Sequence, residues 1–194
     1  MKKFFIGCGV VCVVMFVVIL IFAVSAIGIN NSLVSSHQNV QQKYADVQVQ
    51  LQRRMELIPN LVSTVKGYAA HEEKVFSDVD EALTKLSGAV KSGDIAEIQQ
   101  ADAGLSSVLR GLLAVQMNYP NLKADTQFTN LMDELAGTEN RVSFARQEYN
   151  NAVTPYNNLV NWFPSSFVAY WRGDKPEKRF EAEEGASIAP KVEF

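Results

Sequence analysis

Histidine and cysteine, the side chains that most often carry nucleophilic or metal chemistry, are scarce in this chain. Its only histidines are His37 and His71, and its only cysteines are Cys8 and Cys12. His71 is followed by a glutamate, as in a zinc-protease motif, but Val75 stands where that motif needs a second histidine. We therefore predict no catalytic residue, no metal site and no cofactor, and we do not expect an enzyme.

Paired carboxylates are the remaining candidates for acid-base chemistry. Asp133 and Glu134 are adjacent, and adjacent positions on a helix point apart. The pair is therefore the weakest of the alternatives for function.

The first structural element of the chain is an apolar run over residues 4–29, which contains no charged side chain. At about 1.5 Å per residue, a helix of this length spans roughly 39 Å, which exceeds a hydrocarbon core of about 30 Å. The run is predicted to be a transmembrane helix. Two alternatives are a signal peptide cleaved after Ala26 and a lipoprotein signal at Cys8.

The cysteines lie within this run, four residues apart and hence on one helix face. We interpret Cys8 and Cys12 as small apolar residues that allow close packing of transmembrane helices. Lys2 and Lys3 precede the run, and the next cation is Lys43. This bias predicts a single-pass protein with its N-terminus in the cytoplasm and the remainder on the far side.

After the run, apolar residues recur at spacings of three and four from Leu33 to Val65, so we expect the span to continue as one long helix, kinked at Pro59. This helix either ends within residues 67–70 or, as we favour, continues past His71. Gly93 predicts a helix stop and Asp94 an N-cap. The next helix is expected to bury one side, as follows: Ile95, Ile98, Ala101, Leu105, Leu109, Leu112 and Gln116.

The longest periodic pattern predicts a final long helix with buried positions at Phe128, Leu131, Leu135, Thr138, Val142, Ala145, Tyr149, Ala152, Tyr156, Val160 and Phe163. No period-two pattern persists. The predicted fold is all-α, with an N-terminal transmembrane helix continuing into an antiparallel bundle of three to four long helices. The predicted divisions are 1–29 for the stub and span, 30–172 for the bundle and 173–194 for an extended tail.

Two tyrosine-asparagine pairs lie seven residues apart in that final helix, Tyr149-Asn150 and Tyr156-Asn157, and so share one face. We expect the rings to fill the bundle and the polar ends to bond a neighbouring helix, with a partner-binding patch as the alternative. Asn60 is placed to satisfy a carbonyl freed by the Pro59 kink.

The charged side chains leave two interpretations open and exclude one class of partner. Either a solvated face or inter-helix salt bridges are expected for the following residues: Glu139, Asn140, Arg141 and Arg146. The whole chain carries 18 Lys and Arg against 21 Asp and Glu. A nucleic-acid-binding surface is normally basic, so no nucleic acid is expected.

Several segments occur together in an order that resembles the LemA family. They are LIPNLV at 57–62, VKGYA at 65–69, His71-Glu72, NYPNLKA at 118–124, TENR at 138–141, and the residues Arg146, Tyr149, Asn150, Val153, Tyr156, Asn157, Phe163 and Pro164. The resemblance covers nearly the whole chain. It departs near the C-terminus, where Gly173-Asp174-Lys175-Pro176 and Arg179-Phe180-Glu181 replace the usual aromatic and Tyr-Phe-Glu.

The resemblance implies a single-span bacterial envelope protein with an elongated helical domain, and it implies no reaction. Together with the charge bias around the span, we expect a protein of the bacterial cell membrane whose helical domain lies outside the cytoplasm. We expect a scaffold that self-associates as a homo-oligomer or holds other envelope proteins beside the lipid bilayer. The alternative is an envelope sensor that relays partner binding to a membrane protein.

Overall fold

The protein is described here by a computed structural model that covers residues 2–181, with side chains described for residues 13–17 and 19–181. Six helices follow in order: α1 (Lys2–Lys66), α2 (Glu73–Ser92), α3 (Ile95–Val115), α4 (Pro120–Lys123), α5 (Thr126–Asn161) and α6 (Ser165–Arg172). Residues 2–181 contain no β-strand. The predicted all-α class is confirmed. The tail beyond residue 181 and the side chains of Cys8 and Cys12 lie outside the described residues.

Helix α1 is continuous from the apolar run through Pro59, as predicted. It is long and apolar enough near its N-terminus to cross a membrane, by length and composition. Every described side chain from residue 13 to residue 25 is exposed. A run of exposed apolar side chains of this length is typical of a membrane-spanning helix.

The expectation that α1 continues past His71 is wrong, because the helix ends at Lys66. The Gly67 amide donates to two carbonyls, that of Ser63 at 3.3 Å and that of Thr64 at 3.2 Å, and the second bond tightens the last turn. The turn that follows is stabilised from outside the helix. Ala69 is buried, and the Tyr68 hydroxyl donates to the Asp125 carboxylate at 2.7 Å.

The connection between α2 and α3 confirms both predicted signals. Gly93 adopts φ 75°, a left-handed conformation that glycine adopts without steric cost. The Asp94 carboxylate accepts from the Ala96 amide at 2.8 Å and caps α3. Lys178 is the main cause that holds the pKa of the Asp94 carboxyl below its ordinary value, and the amides of Ala96 and Glu97 add to it.

The described chain divides into two compact units. The span unit comprises residues 2–42 and 151–177, and the bundle unit comprises residues 43–150 and 178–181. In the bundle unit, four long helical segments, namely 43–66 of α1, α2, α3 and 126–150 of α5, share an apolar core. Its buried residues include Val47, Leu51, Ile58, Leu61, Val79, Leu86, Ile98, Leu105, Leu112, Leu122, Phe128, Leu135 and Val142.

Four positions differ from the predicted buried pattern, and one of them, Leu131 of α5, is only partly buried. On α3, Asp102 is buried instead of Ala101, and Val115 instead of Gln116. Phe163 follows the end of α5 and is exposed, so the buried pattern stops at Val160. Thr138 is fully buried as predicted, and its hydroxyl donates to the Leu135 carbonyl at 2.6 Å.

Candidate functional site

A cluster of charged side chains lies inside the bundle unit and joins three helices. Arg54 of α1 donates to Asp102 of α3 at 2.6 Å, to Ser106 of α3 at 2.8 Å and to Glu139 of α5 at 2.5 Å. Arg146 of α5 donates to the second oxygen of Asp102, also at 2.6 Å. Asp102 therefore bridges two arginines, and Arg54 bridges two carboxylates.

Burial decides the electrostatics of this charge cluster. Only 2% of Arg54 and 3% of Asp102 are exposed, whereas the Glu139 side chain is half exposed. Burial raises the pKa of the Asp102 carboxyl above its ordinary value, and the charges of Arg54 and Arg146 act in the opposite direction. Removing charges from water is costly, so these groups depend on one another.

The predictions found half of the charge cluster. Glu139 and Arg146 form inter-helix salt bridges, which was one of the two interpretations, while Arg141 is exposed. The predictions missed Arg54 and Asp102. A usable signal was present, since Arg54 lies between Leu51 and Ile58, and Asp102 between Ile98 and Leu105, at the three-and-four spacing of the buried faces.

A second polar arrangement holds the extended stretch of residues 178–181, called here the terminal segment. The Asn150 amide donates to the Phe180 carbonyl at 2.9 Å and accepts from the Phe180 amide at 3.0 Å. The Gln99 side-chain amide likewise donates to the Glu181 carbonyl at 3.1 Å and accepts from the Glu181 amide at 2.9 Å. The Tyr149 hydroxyl donates to the Lys178 carbonyl at 3.0 Å. These side chains bind the main chain of the terminal segment.

Two side chains of the terminal segment are held as well. The Phe180 ring is buried, with the Tyr149 ring edge-to-face at 5.4 Å and the Arg146 guanidinium over it at 5.1 Å. The Lys178 ammonium donates to Asp94 at 2.8 Å. Arg146 thus contacts both the charge cluster and the terminal segment.

The second tyrosine-asparagine pair lies in the span unit. The Tyr156 ring is buried and stacks on His37 of α1, with centroids 5.0 Å apart. The Asn157 amide donates to the Glu177 carbonyl at 2.9 Å and accepts from the Glu177 amide at 2.8 Å. Burial is the main cause that raises the pKa of the Tyr156 hydroxyl, and the carboxylates of Asp174 and Glu177 raise it further.

The tyrosine rings are thus buried in their respective units, whereas the bonds observed from Tyr149, Asn150 and Asn157 go to extended main chain near the C-terminus. The prediction named a neighbouring helix as the partner. Helical periodicity could not reveal the actual partner, because it is the main chain of a distant segment. Pro59 and Asn60 are both exposed on α1, and the Asn60 carbonyl accepts from the Thr64 hydroxyl at 2.9 Å.

One further surface feature of the bundle unit is a groove of about 670 Å³ between α2 and α3. Its floor includes small residues, Gly88 and Ala89 on α2 and Ala101 and Gly104 on α3. Nothing lies within 4 Å of where a Cβ on Gly88 or Gly104 would stand. Among the described residues, no three histidine, cysteine or acidic side chains are placed to share a metal ion.

Comparison with known proteins places these features in a family. The chain is similar to magnetosome protein MamQ 2 of Paramagnetospirillum magneticum, with 26% identity covering 78% of this chain and 64% of that protein. It is also similar to MamQ of Magnetospirillum gryphiswaldense, with 26% identity covering 77% of this chain and 64% of that protein. Protein LemA of Metamycoplasma hominis is 24% identical, and the match covers 77% of this chain and 67% of that protein. The chain thus spans less than two thirds of the length of the MamQ proteins.

The model of the LemA family matches residues 43–194, which include the whole described bundle unit with its charge cluster and terminal segment. Since this match covers most of the chain, the protein belongs to the LemA family.

Proposed function

We propose that this chain is a membrane-anchored, non-catalytic scaffold that associates with other proteins through its helical bundle. The observation that carries the proposal is the use of its buried and partly buried polar groups. Arg54 and Asp102 hold helices to one another, and Asn150 and Gln99 hold the terminal segment. These groups serve the architecture of the fold, which leaves the surface as the functional part.

The relatives support the same class of function. Two of the similar proteins described above are named after the magnetosome and one after the family, and none of those names states a reaction. The apolar run of α1 supplies the anchor. The groove between α2 and α3 supplies a surface on which a helix of a second copy can pack, because small residues allow close approach of two helices.

Self-association through this groove predicts a selective effect of filling it. Replacing Gly104 by leucine should weaken self-association of the full chain about tenfold, or roughly 1.4 kcal/mol. Helix stability should not fall, since glycine costs a helix about 1 kcal/mol relative to good helix formers. Gly111→Leu is the matched control, because Gly111 is also exposed on α3 with open space around it but does not line the groove.

Native mass spectrometry of the detergent-solubilised full chain measures both variants. A wild-type chain that stays monomeric in several mild detergents would refute self-association. Equal oligomer populations for wild type and Gly104→Leu would show that the groove is not the interface.

We further propose that the apolar run anchors the chain in the inner membrane of a bacterium. The N-terminus then lies in the cytoplasm and the bundle lies outside it. Lys2 and Lys3 precede the apolar run, and the nearest cations beyond it, Lys43 followed by Arg53, lie well past its end. Alkaline phosphatase fused after Phe194 should therefore be active, because it folds only after export. A fluorescent protein that works only in the cytoplasm should be dark at the same position. The reverse pattern would invert the orientation.

A further inference from the structure

An exposed aromatic patch lies at the end of α5 and on α6 in the span unit. Five large rings contribute to it, with exposed fractions of 66% for Trp162, 89% for Phe163, 53% for Phe167, 83% for Tyr170 and 79% for Trp171. Singly exposed apolar residues are ordinary on a protein surface. A concentration of five within ten residues indicates a surface that is covered by something else.

The structure places this aromatic patch beside the end of the apolar run. Arg172, at the last position of α6, donates to the Asn30 side chain of α1 at 2.5 Å. Asn30 is the residue that follows the run of residues 4–29. Ala26 and Ile29 of α1 are partly covered, whereas every described side chain before them is exposed. Helix α6 therefore reaches the level of the last apolar turn of α1 and stops there.

That level corresponds to the boundary of a bilayer. A hydrocarbon core of about 30 Å takes up about 20 residues of helix, so a span that begins near residue 4 leaves the core shortly before Ala26. The headgroup region follows. Tryptophan and tyrosine concentrate in this region of membrane proteins, because their rings are amphipathic.

We infer that the aromatic patch inserts into the headgroup region of the bilayer that α1 crosses, as a second membrane attachment. Trp162, Tyr170 and Trp171 supply amphipathic rings, and Phe163 and Phe167 supply apolar ones. The inference depends on α1 crossing the membrane and is independent of any protein partner. It explains why this face of α6 is aromatic while its other face packs Ser165 and Ala169 inside the span unit.

The chain carries its own reporters for a test, since Trp162 and Trp171 are its only tryptophans. The full chain is placed at one copy per nanodisc in phosphatidylcholine with bromine either near the headgroup end or near the methyl end of the acyl chains. We expect the shallow bromines to reduce tryptophan emission at least twofold more than the deep ones, with weak quenching by aqueous iodide. Strong iodide quenching with no effect of lipid bromine would overturn the inference.

A second copy of the chain is the competing occupant, and the single-copy nanodisc separates it from lipid. Protection from iodide that appears only when several copies share a vesicle would assign the patch to self-association and overturn the inference. A double variant, Phe163→Ser with Phe167→Ser, keeps both tryptophans and should shift their emission to the red. Phe144→Ser is the matched control, since Phe144 is a comparably exposed phenylalanine on α5 in the bundle unit. An equal shift in this control would also contradict the inference.

Discussion

Replacing Asp102 by alanine is expected to destabilise the bundle unit by about 3–5 kcal/mol, the cost of removing one partner from a buried ion pair. Asp102 is 3% exposed and accepts from two arginines at 2.6 Å, so the variant leaves two guanidinium groups short of a carboxylate. Denaturant unfolding of the full chain in mild detergent, followed by far-UV circular dichroism, measures the loss. The apolar run of α1 adds a constant background.

Two companions show whether uncompensated charge is the cause. The double variant Arg54→Met with Asp102→Leu should be less destabilised than Asp102→Ala, because a buried charge pair can often be replaced by apolar residues of similar volume. Glu139→Ala should cost only about 1 kcal/mol, since the Glu139 side chain is half exposed. Asp133→Ala is the control for removing an exposed acid from α5. An Asp102→Ala variant as stable as this control would refute the structural role of the charge cluster.

Replacing Phe180 by alanine is expected to release the terminal segment. Truncating a buried phenylalanine costs about 3–5 kcal/mol, and the Phe180 ring is 5% exposed between Tyr149 and Arg146. The segment can detach without unfolding the helices, so the cost should emerge as local opening. A loss of about 3 kcal/mol corresponds to roughly hundredfold faster hydrogen exchange at the amides of residues 180 and 181.

Hydrogen exchange with mass spectrometry reads this opening directly, because the Phe180 and Glu181 amides donate to Asn150 and Gln99. Arg179→Ala is the control, since Arg179 lies in the same segment and is exposed. Its exchange should match the wild type. Unchanged protection in Phe180→Ala would mean that the hydrogen bonds hold the segment without the ring.

Most of the helices and most of their buried faces could be predicted from the sequence alone. Spacings of three and four report which side of a helix is apolar, and this signal is local. The uninterrupted α1, the Gly93 stop and the Asp94 cap followed from residues within a few positions of each feature. The apolar run was recognisable for the same reason, because composition over one segment is enough to identify a candidate span.

The tertiary structure decided which groups meet across the fold. Arg54 and Asp102 interrupt apolar faces of two helices. Their bonds to each other, to Arg146 and to Glu139 offset the cost of burying their charges. In the turn after α1, Tyr68 bonds Asp125, which is 57 residues away along the chain. Asn150 holds a backbone 30 residues away. Each of these contacts is long-range and polar, and periodicity reports the face of a helix but not the partner that the face will meet.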